Sequence, residues 1–195
     1  MIQTVVNSLL SELNSNLKRR FSLQDKPKIV LSPLVDVEGN LAIDGEKNKL
    51  VMTLVDIEET RFKGHSLAKS DIQGRQKTAF FRPPIHLNLY ILISAYFDSS
   101  NMDEAYMYIS EVLSFFQKKA IFDPKNTPSL GNTNIDKLYI ELYNQSFQDK
   151  SHMWSMIGAK YLPSVLYKIK MLTIQEDEVL KEVPDIKASD SAPRS

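Results

Sequence analysis

The chain predicts an α+β fold: a small, twisted, mostly antiparallel sheet with helices packed against it. Three observations carry this. Ile2–Phe21 and Asn101–Lys119 place apolar residues at three- and four-residue spacing, the helical period. Lys49–Arg61, Ile85–Phe97, Ile135–Tyr143 and Ser164–Ile174 alternate with the period of two that marks strands. Proline and glycine fall at the ends of these segments, at Pro27, Gly158 and Pro163, where they punctuate rather than interrupt.

Taken in order, Ile2, Val5, Val6, Leu9, Leu10, Leu13, Leu17 and Phe21 form the stripe of a first helix. Lys18, Arg19 and Arg20 suit its negative C-terminal end. Lys28–Ser32 reads as a short strand, followed by turns at Glu38-Gly39-Asn40 and Asp44-Gly45. In Lys49–Arg61 the first half suits cover on both faces. The second half turns polar, as an edge or protruding strand does. Phe62–Pro84 reads as a long loop, and loops of this length are usually functional or flexible. Ile85–Phe97 is the clearest strand, with Ile85, Leu87, Leu89, Ile91, Ile93 and Ala95 on one face.

Asn101 with Glu104 suggests a capping box for the second helix, whose expected stripe is Met102, Ala105, Tyr106, Ile109, Val112, Leu113 and Phe116. Ser146 with Asp149 starts a third, short helix, and Gly158 suits its C-cap. The predicted order is α-β-β-β-α-β-α-β. Residues 1–174 form one domain, and 175–195 is an acidic tail, flexible or extended, with few apolar residues.

Bulk properties exclude several classes. A chain of 195 residues fits one domain of about 100–200 residues. With no cysteine it has no disulfide, thiolate nucleophile or cysteine-ligated metal. Its 24 basic and 24 acidic residues cancel, which disfavours a general polyanion binder. No apolar run approaches the ~20 residues that span a bilayer. The amphipathic N-terminus lacks the basic start of a signal peptide.

Chemistry is not advertised. His65, His86 and His152 are far apart and share no metal-ligand spacing. There is no nucleophile elbow, no phosphate-cradling loop and no dinucleotide fingerprint. Glu58-Glu59 are adjacent, so a strand sends them to opposite faces, and Asp103-Glu104 suit a helix N-terminus. No catalytic residue, metal, cofactor or small-molecule substrate is therefore expected.

What remains is contact surface. Arg61, Lys63, Lys69, Arg75, Lys77 and Arg82 face one acid, Asp71, across 61–82. This is a solvated loop, an arm docking on an acidic partner, or a nucleic-acid patch. Phe80 and Phe81 are adjacent, and two such rings cannot both face one side of an extended chain. Trp154 and Tyr161 pose the same choice between core and interface.

Several blocks also resemble one family. They are Phe80-Phe81 through Pro83-Pro84-Ile85-His86-Leu87-Asn88-Leu89-Tyr90, Phe115-Phe116-Gln117, Phe122-Asp123-Pro124 with Asn126-Thr127-Pro128, and Met153–Lys168. Together with the first helix and Lys28–Leu34, they are similar to the tail-terminator or cap proteins of extracellular contractile injection systems, of the antifeeding-prophage and Photorhabdus-virulence-cassette type. The resemblance spans about residues 1–174, is most specific over Trp154–Tyr167, and leaves the tail uncovered.

It implies a phage tail-terminator-like fold and a six-fold ring at the distal end of inner tube and contractile sheath. There the ring stops polymerisation and fixes length. It implies synthesis in the bacterial cytoplasm, then residence in a particle that can be released from the cell. The implied partners are copies of itself and terminal tube and sheath subunits, with no membrane and no nucleic acid. An alternative is a nucleic-acid-binding or adaptor module using the basic loop 61–82. For a ring, the half-polar strand 50–61 and the basic loop are candidate contacts. Pro163 and the acidic tail are candidates for closing a sheet edge against further growth.

Overall fold

The computed structural model describes residues 1–23, 27–40, 42–43, 47–60, 67–72, 75–81, 86–131, 133–173 and 179–184. Its body is a six-stranded sheet made of β1 (Ile29–Leu31), β2 (Lys49–Thr60), β5 (His86–Tyr96), β6 (Ile121–Phe122), β7 (Ile135–Leu142) and β8 (Ser164–Thr173). The spatial order is β1-β2-β5-β8-β7-β6, with β1 parallel to β2 and every other pair antiparallel. Helices α1 (Ile2–Phe21) and α2 (Met102–Lys118) pack on one face. Helix α3 (Phe147–Ile157) packs on the other, so the sheet is covered on both sides.

Strand alternation explains the two cores. Leu50, Met52, Leu89, Ile91, Ile93, Tyr167, Ile169 and Met171 meet Val5, Leu9, Leu13 and Leu17 of α1 and Ala105, Tyr108 and Val112 of α2. The intervening residues Val51, Leu92 and Leu166 meet Met153 and Trp154 of α3, with Leu34 and Ile43. Two bulges adjust the pattern. The register passes from Leu54 to Asp56 against consecutive partners Ile91 and Tyr90, leaving Val55 as the extra residue. A second bulge at Asp136 lets Ile135 and Leu138, three apart, face the same core.

The outer edge of β1 is closed by α1. The Asn14 carboxamide oxygen accepts from the backbone N–H of Lys28 (2.9 Å) and Ile29 (3.0 Å), and its amide donates to the Ile29 carbonyl (2.9 Å). One side chain thus supplies bonds that a further strand would have made. Lys28 reaches Glu104 at 3.0 Å and lies over the rings of Phe97 and Tyr108, tying the first strand to α2. Burial, helped by a hydrogen bond to Glu104, pushes the Tyr108 phenol up to about 12.

The caps of α3 form as expected. Ser146 accepts from the Asp149 N–H, and Gly158 ends the helix at φ 76°. Other expectations are corrected. Asn101 makes no side-chain cap, so the Asn101–Glu104 box does not form; a short 3-10 turn over Ser99–Asn101 leads into α2 instead. Tyr106 and Leu113 of the expected α2 stripe are exposed, while Tyr108 is buried against Phe21 and Phe97. The buried set Ala105, Tyr108, Val112, Phe115 and Phe116 follows the helical period, and aromatic residues on both flanks hid its centre.

Pro163 does not close an edge. It precedes β8, which lies between β5 and β7, and its carbonyl accepts from the Ala95 N–H at 2.8 Å. The segment 62–84 is not simply a loop. It contains β3 (Leu67–Ile72) and β4 (Arg75–Phe81), an antiparallel hairpin that runs from Leu67 opposite Phe80 to Ile72 opposite Arg75. Gln73-Gly74 lie between them in sequence, a hairpin signal that the charge pattern of the segment masked. Part of the segment expected to be flexible or extended also forms a strand, β9 (Val179–Pro184), antiparallel to β4.

Candidate assembly surfaces

β3, β4 and β9 make a second sheet in the order β3-β4-β9. Each is the chain neighbour of one strand of the body: β3 follows β2, β4 precedes β5, and β9 follows β8. The body holds those three in the same order, β2-β5-β8. The small sheet is therefore an arm that repeats the central order of the large one.

The arm receives several sequence-predicted contact residues. Lys69 lies opposite Thr78, and Arg75 pairs with Ile72. Lys77 sits between Ser70 on one side and Pro184 on the other. Phe80 is flanked by Leu67 and Lys181, and Phe81 pairs with Val179 across a register shift that leaves Leu180 as an extra residue on β9. Arg61, Lys63, Arg82 and His65 lie outside the described residues. The fold thus sets the chain's basic hairpin beside Val179–Pro184 of the tail, which carries Lys181 and Glu182. Sequence reading treated the two as separate features; the pairing of β4 with β9 joins them.

The second surface is α3. Trp154 is core, with 5% of its surface exposed among Val51, Leu92 and Leu166. Its indole N–H has no hydrogen-bond partner among the described residues. Tyr161 is 62% exposed and stands edge-on to Trp154, with centroids 5.6 Å apart. The two residues singled out together therefore divide, Trp154 inside and Tyr161 outside. Phe147 is 93% exposed, a feature sequence reading missed. It lies seven residues from Trp154 on the same stripe, but the first turn of α3 contains no buried residue. Phe147, Trp154 and Tyr161 line an open groove of about 560 Å³ with Lys150 and Gly158.

The third surface is the outer edge of β2. β1 pairs with β2 only from Leu50 to Met52, so among the described residues Leu54–Thr60 have no strand on that side. This half of β2 is the polar half, as expected for an edge, with Asp56, Ile57, Glu58 and Glu59 exposed.

Cross-strand bonds order it. Glu58 Oε2 accepts from the Tyr90 hydroxyl (2.8 Å) and the Asn88 amide (3.2 Å), and Lys168 Nζ lies 3.5 Å away. Asn88 also donates to Thr60 Oγ1 at 2.6 Å. The Tyr90 and Asn88 hydrogen bonds, then Lys168, hold the Glu58 carboxyl below its ordinary value of 4.5. Burial raises the Tyr90 phenol, and the Tyr90 contact raises Lys168. All three shifts run away from neutral pH, opposite to the tuning that general acid–base catalysis uses. The network fits a cross-strand clamp. A groove of about 570 Å³ beside it is lined by Tyr90, Tyr143, His152 and Met156. Among the described residues no group of three His, Cys, Asp or Glu could hold a metal ion.

Residues 4–188 match the model of the Pvc16 N-terminal domain. The chain belongs to the Pvc16 N-terminal domain family. The match reaches residue 188, so it includes β9 and most of the tail, beyond the 174 residues that the sequence blocks reached. No curated protein matches the chain. Among solved structures, this Pvc16 domain is similar to a chain of the PVC sheath/tube terminator in its extended state, with TM-score 0.62 and 15% identity. The likeness covers 100% of this chain and 64% of that one. The chain is also similar to the anti-feeding prophage cap, a tube-terminating cap, with TM-score 0.54 and 16% identity over 97% of this chain and 60% of the other. The chain thus spans less than two thirds of either relative, and at these identities the likeness establishes the α+β terminator-type fold. No described helix is long and apolar enough to cross a membrane.

Proposed function

We propose that this Pvc16-type domain is a structural cap: it forms a ring at the distal end of the inner tube and contractile sheath of a phage-tail-like injection particle, ends polymerisation and fixes length. The observation that carries the reading is family membership over residues 4–188, joined to a fold shared with a sheath/tube terminator and a tube-terminating cap. Its partners are copies of itself, in a ring of six, and the last tube and sheath subunits. It is made in the bacterial cytoplasm and then resides in the particle. It works without catalysis, through shape and contact.

The described surfaces suit this role. Docking needs contact area that the isolated chain leaves uncovered, and among its described residues are a strand edge with no neighbour, an exposed Phe147 and Tyr161, and a charged arm. The test is polymerisation. Purified chain added to growing tubes should stop elongation at substoichiometric amounts and sit at one tube end in electron micrographs. Tubes that elongate at the same rate with the chain present would refute the reading.

A further inference from the structure

The polar half of β2 and the groove beside it adjoin. Among the described residues, 54–60 have a strand partner in β5 and none on the outer side. This stretch carries Asp56, Glu58 and Glu59 and no basic residue. The register puts Asp56 and Glu58 on the same face as Tyr90 and Asn88, with Ile57 and Glu59 on the other. On that first face a groove of about 570 Å³ is lined by strand and helix together. Its lining includes the carboxylates of Asp56 and Glu58, the rings of Tyr90 and Tyr143, and Met153 and Met156, with no lysine or arginine. We infer that this edge is a docking site for an extended segment of a different protein, one with lysine or arginine at alternate positions. The segment adds as a strand beside 54–60. Alternate side chains then point into the groove, where their cations meet the two carboxylates and the tyrosine rings.

Charge selects the occupant. The Asp56 carboxylate accepts from the N–H of Ile57 at 2.8 Å and meets no cation among the described residues. Hydrogen bonds from Tyr90 and Asn88 hold the Glu58 carboxyl below its ordinary range, so it too is ionised at neutral pH. The chain already shows this recognition within itself. Lys168 Nζ lies 3.5 Å from Glu58 and 5.2 Å from the centre of the Tyr90 ring. Asp56 and Tyr143, which line the same groove, offer a second cation the same two kinds of contact. Tyr143 stands edge-on to Tyr90, with centroids 5.2 Å apart.

Other occupants fit less well. Nucleic acid is repelled by these carboxylates. A second copy of the chain brings no described outer strand with a basic excess. β1 and β6 are uncharged, and β3 and β9 each carry one base and one acid. β4 holds Arg75 and Lys77 but is flanked on both sides. Acids on an edge also guard against pairing with a like edge, which suits an edge reserved for a basic partner.

Amide hydrogen exchange of the full chain, read by NMR, tests this with short synthetic peptides. One alternates lysine with valine. Another alternates glutamate with valine, and a third has the composition of the first with its lysines in one block. The expected result is slowed exchange at alternate residues of 54–60 with the first peptide alone, weakened by added salt. Asp56 is exposed, so Asp56→Lys should leave the fold intact and weaken binding at least about fivefold. The gentler Asp56→Asn should weaken it about twofold. Binding without amide protection would overturn strand addition. No binding at millimolar peptide, or equal binding by the two variants and the wild-type chain, would overturn the site. Protection of 54–60 that needs no peptide and rises with chain concentration would give the edge to a second copy and overturn the foreign segment. None of these readouts involves rings or particle length, so the cap reading is tested separately.

Discussion

The six-stranded body and the three-stranded arm are built from the same chain by opposite means. The body buries both faces of its sheet under helices, and Asn14 closes the outer side of β1. The arm carries charge in every strand, and among the described residues its two outer strands have one strand neighbour each. The difference teaches a division of labour. Stability resides where alternation fills two cores, and the proposed assembly contacts fall on strand edges and charge.

The largest effect that separates the two belongs to Trp154. It is the single tryptophan and sits in the α3 core, so Trp154→Ala should cost ~3–5 kcal/mol in chemical denaturation followed by circular dichroism. A loss below about 1 kcal/mol would mean that the α3 face contributes little to the body. Next comes Gly158, held at φ 76° with open space around its Cβ position. Gly158→Ala should cost about 1–2 kcal/mol through backbone strain alone. An unchanged unfolding midpoint would remove the left-handed cap from the account.

The arm should respond in the other way. Arg75→Glu with Lys77→Glu should shift body stability by no more than about 0.5 kcal/mol, read by Trp154 fluorescence. Co-sedimentation with tube or sheath should nevertheless be lost. Equal loss of stability and docking would show that body and arm are one unit. The smallest effect concerns Glu58. Its folded value lies below 4.5, so its contribution is present above 4.5 and fades as pH falls through the folded value. Lys168 is raised above 10.5, so its contribution is present below 10.5 and fades as pH rises through its folded value. Carbon-detected titration of Glu58 should show a midpoint under 4.5, and a midpoint at or above it would dissolve the clamp.

The body was legible because its strands alternate and its helices repeat cleanly. Ile2–Phe21, Lys49–Thr60, His86–Tyr96 and Ser164–Thr173 stand within a residue or so of their predicted ends. Ser146 and Gly158 carry their chemistry locally, so their caps could be read from side-chain type alone. The arm was hidden for a physical reason. β3, β4 and β9 are short and charge-rich, and β9 pairs with a strand about a hundred residues away in the chain. The open edge of β2 was visible as its polar half. The exposure of Phe147 was not, since its period matches that of buried Trp154 and only the overhang of the first turn separates them.

The most direct test of the cap is the length of assembled particles. Negative-stain electron microscopy should find uniform sheathed particles when this chain is expressed with the rest of the system, and ragged or unsheathed tubes when it is withheld. Identical length distributions in the two preparations would contradict the proposal that this domain terminates tube and sheath.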